Sequence, residues 1–478
     1  AINNGIFNNN PTSVNLAAAQ FPLTGSINSY FIGVLSGTVT VGTSGTYPSL
    51  TNNGGLFEAI NNGALSGNLI AEITSDLTGE SGTHALNEWI EIGVGNYTVT
   101  IRPDGATTRE ISGNFNGVVA SPALFRLDGA DRVTFDGRDP NDLAADGRHL
   151  LFRNINATSA SNNNATIGLI NSAENNIFRN LIIEGATAGT ANGVFRIGSS
   201  NAGAGNDNNT ITKCQIRDRS DATGVPSHGI YALAGSLATA NNNISITDNE
   251  IFNYHAAGQN AAIYIGSQNS DYVITGNSIY EPTVRTTAST KFGINIDAAT
   301  GSGGNFNISN NFIGGNAPGA TGTWTAGAAV DYRFVGISMV TGLTGNSVVE
   351  NNTIRNFDIT TSSIFQTQGA MFSGIYAGSG DAEIKDNIIG GDNGNISITS
   401  TSTTALGFIY GIFHTGNGAV TITGNTIGGY AVSNPSSSSG IRSLIGIRAN
   451  TSSTSAQVNV SNNTIGGANA LMTNATGN

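Results

Sequence analysis

The sequence predicts an all-β fold, a parallel β-solenoid in which the chain winds through stacked coils of short strands. A motif of β-branched residues around one polar residue recurs along the chain, as in "ITDNEI" (246–251), "ITGNSI" (274–279) and "VTITGNTIGG" (420–429). A second phrase, such as "GIYAL" (229) or "GINID" (293), precedes each motif, and Gly, Asn and Ser turns separate the two. Self-similarity at a step near 35 residues, with alternating apolar positions, is typical of stacked repeat architectures.

The composition excludes several classes of function. Charged residues make up 10% of the 478 residues, where about 25% is usual, and the formal net charge is −12. Such a surface repels phosphate backbones and anionic lipids, so we expect no nucleic-acid partner. Cys214 is the single cysteine, which excludes an internal disulfide. No apolar run approaches the roughly 18–20 residues of a membrane span, so we expect no transmembrane segment.

The polar residue of each motif is the first element to justify. An amide buried without partners costs roughly 1–3 kcal/mol, but amides stacked about 4.8 Å apart in successive coils can donate to and accept from one another. We therefore predict one buried row with Cys214, in "ITKCQI", as an unreactive member. The alternative is a set of turn asparagines without stacking. The predicted row is Asn180, Cys214, Asn249, Asn277, Asn311, Asn352, Asn387, Asn425 and Asn463.

The spacing within the motif predicts a corner. The preceding aliphatic lies three residues before the slot and the next lies two after it, whereas a flat strand returns to one face every two residues. Residues immediately before the slot, such as Asp248, Gly276 and Asn310, tolerate a left-handed backbone. We expect each coil to turn there.

The front of the chain predicts a cap. Residues 53–65, "NGGLFEAINNGAL", place Leu56, Phe57, Ile60 and Leu65 at helical spacing, and a helix there would cover the open first coil. We expect a lead segment at 1–36 and the solenoid at 37–478, with clear repeats from about residue 150. We also expect the native solenoid to continue past residue 478.

A resemblance to a known family supports this interpretation. The phrases "GTVTVGTSGTYPSLTNNGGLFEAINNGALSGNLIAEI" (37–73) and "LDGADRVTFDG" (127–137), with the "NNTIGG" endings, resemble the secreted right-handed parallel β-helix proteins of Bacteroidota. The resemblance implies a pectin-lyase-like fold, a single-stranded right-handed parallel β-helix. It also implies export by the type IX route to the cell surface or beyond, with adhesive or structural roles.

Enzymes share this fold, so catalysis must be judged from residues. His228, in "SHGIY", has no paired aspartates at the matching position of neighbouring coils, and we predict no catalytic residue. The histidines share no metal-ligand spacing, and we predict no cofactor. One candidate for Ca²⁺ is the acidic phrase at 127–147, with ligands Asp128, Asp131, Asp136 and Asp139.

The predicted function is an extracellular structural or adhesive module of a bacterial surface protein or filament. Its expected partners are other protein chains, cell-surface glycans or further copies of the chain. A polysaccharide lyase or glycoside hydrolase is the alternative. Ice or flat-surface binding is a third class, which the interruption of the outward threonine column by Glu350 and Lys385 disfavours.

The long segment 313–336 offers a candidate contact loop. It carries Trp324, Tyr332 and Phe334 in otherwise small, polar surroundings. Loops on a rigid scaffold often bind ligands, and aromatic rings suit a sugar face or a protein surface. We predict that Trp324 is exposed and contacts a partner chain or a glycan, and that Phe365 and Phe372 fold back onto the solenoid.

Overall fold

The protein is a right-handed parallel β-helix with a short N-terminal capping helix, in a computed structural model. The structure describes residues 33–476 except 118–121, 157–163, 201–202, 299–302, 343–344, 366–369, 392–395, 403–406, 435–442, 452–455 and 468–471. The predicted lead segment 1–36 lies almost wholly outside the described residues. The first strand begins at Val34, three residues before the boundary that the sequence predicts.

Short strands make up nearly all of the regular structure. The elements before residue 200 are β1 (Val34–Val41), α1 (Leu56–Asn62), β2 (Ala64–Ile73), β3 (Leu86–Asn87), β4 (Ile90–Glu91), β5 (Val99–Pro103), β6 (Arg109–Gly113), β7 (Ala123–Asp128), β8 (Val133–Asp136), β9 (Leu150–Asn154), β10 (Ala165–Ile170), β11 (Ile177–Arg179), β12 (Leu181–Glu184) and β13 (Phe195–Ile197). Those up to residue 330 are β14 (Thr210–Thr212), β15 (Gln215–Arg217), β16 (His228–Ala232), β17 (Asn241–Asn242), β18 (Ser245–Thr247), β19 (Glu250–Phe252), β20 (Gln259–Ile265), β21 (Asn269–Ser270), β22 (Val273–Thr275), β23 (Ser278–Tyr280), β24 (Ser289–Asp297), β25 (Asn307–Ser309), β26 (Phe312–Ile313) and β27 (Trp324–Gly327). The remainder are β28 (Tyr332–Val340), β29 (Asn346–Glu350), β30 (Thr353–Ile354), β31 (Phe357–Thr361), β32 (Phe372–Ser379), β33 (Asp381–Lys385), β34 (Ile388–Ile389), β35 (Ile396–Ser400), β36 (Phe408–Gly416), β37 (Val420–Thr423), β38 (Thr426–Ile427), β39 (Tyr430–Asn434), β40 (Ser443–Thr451), β41 (Val458–Ser461), β42 (Thr464–Ile465) and β43 (Met472–Thr476).

Three long sheets form the walls, and their strands pair in parallel with the equivalent strand of the next coil. The first sheet has 14 strands and follows the order β1-β2-β5-β8-β11-β14-β18-β22-β25-β29-β33-β37-β41, with β4 pairing β2. The second has 11, β3-β7-β10-β13-β16-β20-β24-β28-β32-β36-β40, and the third has 11, β6-β9-β12-β15-β19-β23-β26-β30-β34-β38-β42. A fourth sheet, β27-β31-β35-β39-β43, joins the later coils between the third and the second.

The core follows from the aliphatic columns of the repeat. Ile246 pairs with Ile274 and Ile274 with Ile308 in the first sheet, while Ile251 pairs with Ile279 in the third. These side chains are fully buried and belong to one continuous cluster from Val41 to Val432. The predicted alternation of inward aliphatic and outward polar residues is therefore present.

The corner between the first and third sheets uses the left-handed backbone that the sequence predicts. Asp248, Asn310 and Asn351 have φ of 56°, 56° and 55° there, a region that asparagine and aspartate enter more readily than other non-glycine residues. The polar slot follows directly and faces inward.

The capping helix α1 covers the first coils. It spans Leu56–Asn62, inside the range 53–65, and buries Leu56, Phe57 and Ile60. Its seven residues cannot be stable alone, so packing of this apolar face against the solenoid holds it.

Candidate functional site

Asparagines inside the first corner form a continuous hydrogen-bonded row. In Asn249, both the backbone N–H and Nδ2 donate to Oδ1 of Asn277, each at 3.0 Å, and Nδ2 also donates to the carbonyl of Ile211 in the preceding coil at 2.9 Å. The same pattern joins Asn277, Asn311, Asn352, Asn387, Asn425 and Asn463. Asn463 is half-buried, whereas the asparagines before it in the row are buried. The amide oxygens of Asn277, Asn311, Asn352, Asn387, Asn425 and Asn463 thus each receive two donors from the preceding rung.

Cys214 occupies the same row, and its backbone N–H makes the same hydrogen bond as the backbone N–H of each asparagine. Its backbone N–H donates to Oδ1 of Asn249 at 2.9 Å, and its Sγ lies 3.5 Å from the carbonyl of Phe178. The thiol is fully buried, and burial raises its pKa to about 12.

The assignment of Asn180 to this row is wrong by one residue. Arg179 pairs with Thr212 and Ile182 pairs with Gln215, so Asn180 corresponds to Lys213 and Leu181 to Cys214. Asn180 has φ of 53°, as Lys213 does, and is the corner residue of its coil. Leu181 occupies the polar position of the motif in this coil, and the neighbouring Asn180 matches the motif pattern in its place.

A second, shorter row of asparagines lies at another corner and was not predicted. Asn206 donates through Nδ2 to Oδ1 of Asn241 at 3.0 Å, and Asn241 donates to Oδ1 of Asn269 at 3.1 Å. All three are buried. The spacing between these three asparagines matches the spacing in the main row. No β-branched residues flank them in the sequence in the way that they flank the main motif.

The predicted contact loop is not a loop, and its aromatic residues are not exposed. Trp324–Gly327 is strand β27, which pairs with Phe357–Thr360 in the fourth sheet. The indole of Trp324 is fully buried, donates to the hydroxyl of Tyr332 at 3.2 Å, and packs edge-on against Phe334 with ring centres 5.0 Å apart. The prediction of an exposed Trp324 is therefore wrong, because strand pairing turns this segment inward. Phe372 is buried as expected, whereas Phe365 remains 37% exposed.

A buried cation lies beside this aromatic cluster. Lys291 is fully buried, with Nζ 2.6 Å from Oε2 of Glu281 and 4.1 Å from the ring centre of Tyr254. Arg285 contacts the other oxygen of Glu281 at 2.9 Å. Burial lowers the pKa of Lys291 to about 8, although Glu281 counteracts part of that shift.

The acidic phrase does not converge on one point. Asp136 binds Arg138 at 2.9 Å and Arg179 at 2.6 Å. Burial alone would raise the pKa of Asp136, but hydrogen bonds from these arginines outweigh burial and lower it. The other carboxylates accept hydrogen bonds separately, Asp128 from Asn171, Asp131 from the Glu174 N–H and Asp139 from Asn141. Within the described ranges, no group of three or more His, Cys, Asp or Glu side chains could hold a metal ion.

A charged cluster occupies the outer face of the third sheet. Glu184 is buried between Arg153 and Arg217, each 2.7 Å from one carboxylate oxygen. Arg153 also contacts Glu110 at 3.0 Å, and Asp221 pairs with Arg219 at 2.9 Å. The carboxylates here are held by arginines.

The outer face of the second sheet carries a row of aromatic and arginine side chains, here called the outer column. Parallel pairing aligns one outward position of ten successive coils. Tyr231 and Tyr264 stack with ring centres 4.9 Å apart, and Arg196 lies over Tyr231 at 5.7 Å. At the far end, Arg448 lies 5.2 Å from the ring centre of Phe413. The members are Arg126, Gly168, Arg196, Tyr231, Tyr264, Asn295, Ser338, Tyr376, Phe413 and Arg448.

Apolar residues flank the outer column three positions earlier in the strands. Phe292, Val335 and Tyr410 form with Tyr376 and Phe413 a hydrophobic cluster that is separate from the solenoid core. His228 belongs to this flank, stacks beside Tyr231 at 5.4 Å, and has its pKa lowered to about 4 by burial. The outer face of the second sheet therefore carries an apolar patch over these coils. In the sequence, several members of the outer column directly follow a "G-I" pair, as Tyr231 and Phe413 do. Their alignment in one column becomes evident only from the strand pairing.

Comparisons with known proteins find a similarity in fold alone. No family model matches the chain, and no curated protein matches it. A lacto-N-biosidase of family GH136 from Eubacterium ramulus is 10% identical with a TM-score of 0.46, over 89% of this chain and 68% of that one. The Dettilon tailspike protein is 13% identical with a TM-score of 0.33, over 82% and 64%. The Agl-KA catalytic domain is 13% identical with a TM-score of 0.31, over 86% and 64%. At these identities the likeness concerns the chain path alone.

No helix in the described part of the chain combines the length and the apolar character that crossing a bilayer requires.

Proposed function

We propose that this chain is an extracellular structural and adhesive module of a bacterial surface protein or filament, and that it binds glycans without cleaving them. The observation that carries the proposal is the outer column, in which the ring of Tyr264 and the guanidinium groups of Arg126, Arg196 and Arg448 are half-exposed on one sheet, while Tyr231, Tyr376 and Phe413 are buried beneath that surface. Aromatic faces stack on sugar rings, and guanidinium groups donate several hydrogen bonds in fixed directions.

The scaffold beneath this face supports the proposal. Every strand of the second sheet is paired on both sides except at its ends, and the asparagine row joins the opposite corner of successive coils from Asn249 to Asn463. A site on rigid strands loses little conformational entropy when a ligand binds. Repeated coils also offer a repeating polymer several equivalent contacts, which strengthens weak binding through multivalency.

Cleavage of a polysaccharide is the second candidate, and the charged cluster on the third sheet is the observation that favours it. Glycoside hydrolysis requires a carboxylic acid with a raised pKa near a second carboxylate. The hydrogen bond from Arg219 instead lowers the pKa of Asp221, and Glu184 binds two arginines at 2.7 Å. This arrangement stabilises ionised carboxylates and suits a structural ion-pair network better than a general acid.

Binding and cleavage are separated by one pair of measurements. The purified chain is incubated with a panel of soluble neutral and anionic polysaccharides, and both retention on the polymer and release of new chain ends are measured. We expect retention without release. Release of chain ends that Glu184→Gln abolishes would replace the adhesive proposal with the enzymatic one, and absence of retention on every polymer would remove the adhesive role.

A further inference from the structure

The arginines of the outer column differ from most arginines of the protein. Ion pairs within 4.0 Å of a carboxylate are made by Arg102, Arg109, Arg132, Arg138, Arg148, Arg153, Arg179, Arg217, Arg219 and Arg285. Among the described residues, no carboxylate lies within 4.0 Å of Arg126, Arg196 or Arg448, which belong to the outer column, or of Arg355, which does not belong to it. In a chain of net charge −12, three arginines without a carboxylate partner in one column are available to an anion from outside the protein.

The guanidinium groups of Arg126 and Arg196 are held in position by other contacts. Arg126 lies over the ring of Phe115 at 5.4 Å, and Arg196 lies over Tyr231 and donates from Nη1 to the carbonyl of Ala191 at 3.0 Å. Both side chains are half-buried. Burial lowers the pKa of both groups, so an added anion would relieve a desolvation penalty.

Register sets the distance between them. Gly168 lies between Arg126 and Arg196 in the column, so the two strands are two spacings apart, about 9–10 Å. Gly168 is buried and adds no side chain to the column between the two arginines. Tyr231 and Tyr264 continue the column directly beyond Arg196.

Acidic residues near this segment form no ion pair within 4.0 Å of Arg126 or Arg196 among the described residues. Asp128 acts electrostatically on Arg126 but accepts a hydrogen bond from Asn171 at 2.7 Å. Asp297 is exposed at the other end, 3.5 Å from the hydroxyl of Tyr264. Screening restricts the remaining negative charge of the protein to about 8 Å at physiological salt, so local contacts decide which ligand fits.

We infer that Arg126, Arg196, Tyr231 and Tyr264 form a binding segment for an anionic polysaccharide. Acid groups of the polymer bind the two arginines, and one of its sugar rings packs on the half-exposed face of Tyr264. The inference rests on the proposed function and adds the chemical class of the glycan and its place on the face. Carboxylated and sulfated polymers share the required chemistry.

The test compares three probes on the full chain of 478 residues: polygalacturonate, heparin and uncharged dextran. Affinity is measured for the parent, for Arg126→Gln with Arg196→Gln, for Tyr264→Leu and for Arg102→Gln. The last variant is a matched control, because it removes the same charge from a half-exposed ion pair on the first sheet. Unfolding temperatures establish that all variants are folded.

The expected result is binding of at least one anionic probe and weaker binding of dextran. The double variant loses about tenfold or more in affinity, since charge-assisted hydrogen bonds are the strong ones, and its affinity depends less on salt. Tyr264→Leu weakens binding and Arg102→Gln does not. Should the double variant not fold, each single glutamine variant is expected to lose about threefold.

The remaining outcomes separate the inference from the proposed function. Anionic binding that is equal in the parent and the double variant overturns the inference and leaves adhesion standing at another face. Retention on dextran alone also overturns it, because the ligand is then neutral. If no probe and no polymer of the wider panel is retained, both fail together. Binding of only heparin or only polygalacturonate identifies the anionic group.

Discussion

Asn311 donates to Oδ1 of Asn352 from two atoms at once, from its backbone N–H at 3.0 Å and from Nδ2 at 2.9 Å, across 41 residues of sequence. Asn352 repeats the arrangement toward Asn387. Each rung therefore serves as acceptor for the coil before it and donor to the coil after it. Hydrogen bonds in such chains polarise one another, so the row is worth more than isolated pairs.

Replacement of Asn352 by leucine should destabilise the protein by about 1–3 kcal/mol. The backbone N–H and Nδ2 of Asn311 would lose their acceptor in a dry interior. Denaturant unfolding measures the loss, with Asn346→Leu as control because Asn346 is exposed at the start of β29, the strand that precedes Asn352. An effect no larger than that of the control would show that the row carries no stability.

Replacement of Cys214 by asparagine should preserve or raise stability, by up to about 1 kcal/mol, because an amide in this slot can donate to Oδ1 of Asn249 as the other rungs do. Cys214→Leu is the comparison variant and should be less stable than Cys214→Asn. The reverse order in thermal unfolding would contradict the prediction. In the parent, a thiol reagent at pH 8 should label Cys214 only after denaturation, because its pKa of about 12 and full burial suppress the thiolate.

Stability should rise with pH through the titration of Lys291. Its pKa falls from 10.5 in the unfolded chain to about 8 in the folded protein, so between these values the unfolded state binds more protons and folding gains free energy as pH rises. Between pH 8 and 9.5 we expect the parent to gain about 2 kcal/mol relative to Lys291→Met, at about 1.4 kcal/mol per pH unit. Parallel stability curves for the two proteins would refute this.

Gly336→Ala should cost about 1–3 kcal/mol through overpacking. A Cβ there would lie 2.6 Å from the carbonyl oxygen of Gly374 and 2.9 Å from Cδ1 of Ile354. Gly79→Ala is the matched control, since nothing lies within 4 Å of its added Cβ, and it should change stability by less than about 0.5 kcal/mol. Both are measured by thermal unfolding, and equal effects would exclude the close approach.

The sequence predicts the strands that form the walls of the solenoid, because the repeat of aliphatic residues in the sequence corresponds directly to the side chains that the fold buries. Aliphatics such as Ile274 and Ile279 recur at fixed offsets from a left-handed corner, and those offsets determine which side chains face inward. Asn180 shows the limit of this reasoning, because a polar residue next to an apolar slot matches the motif as well as one inside it. Only the pairing of Ile182 with Gln215 resolves the ambiguity.

The site could be predicted much less well, because it depends on which segments pair. Trp324 lies among small polar residues, and nothing local indicates that Phe357, 33 residues later, provides the strand beside it. The outer column is difficult to predict for a different reason. Arg196 and Tyr231 are unremarkable singly, and they become a surface only when parallel register brings them side by side.

Because every rung makes the same bonds to the rungs before and after it, the chain is divisible at its asparagines. Excision of residues 353–387 would bring Asn352 against Asn425 with donors and acceptors facing as they do now. Length in such a protein can then change by whole coils through duplication or loss of gene segments, without redesign of the interior. Selection can therefore change the length of the solenoid separately from the side chains on its outer face.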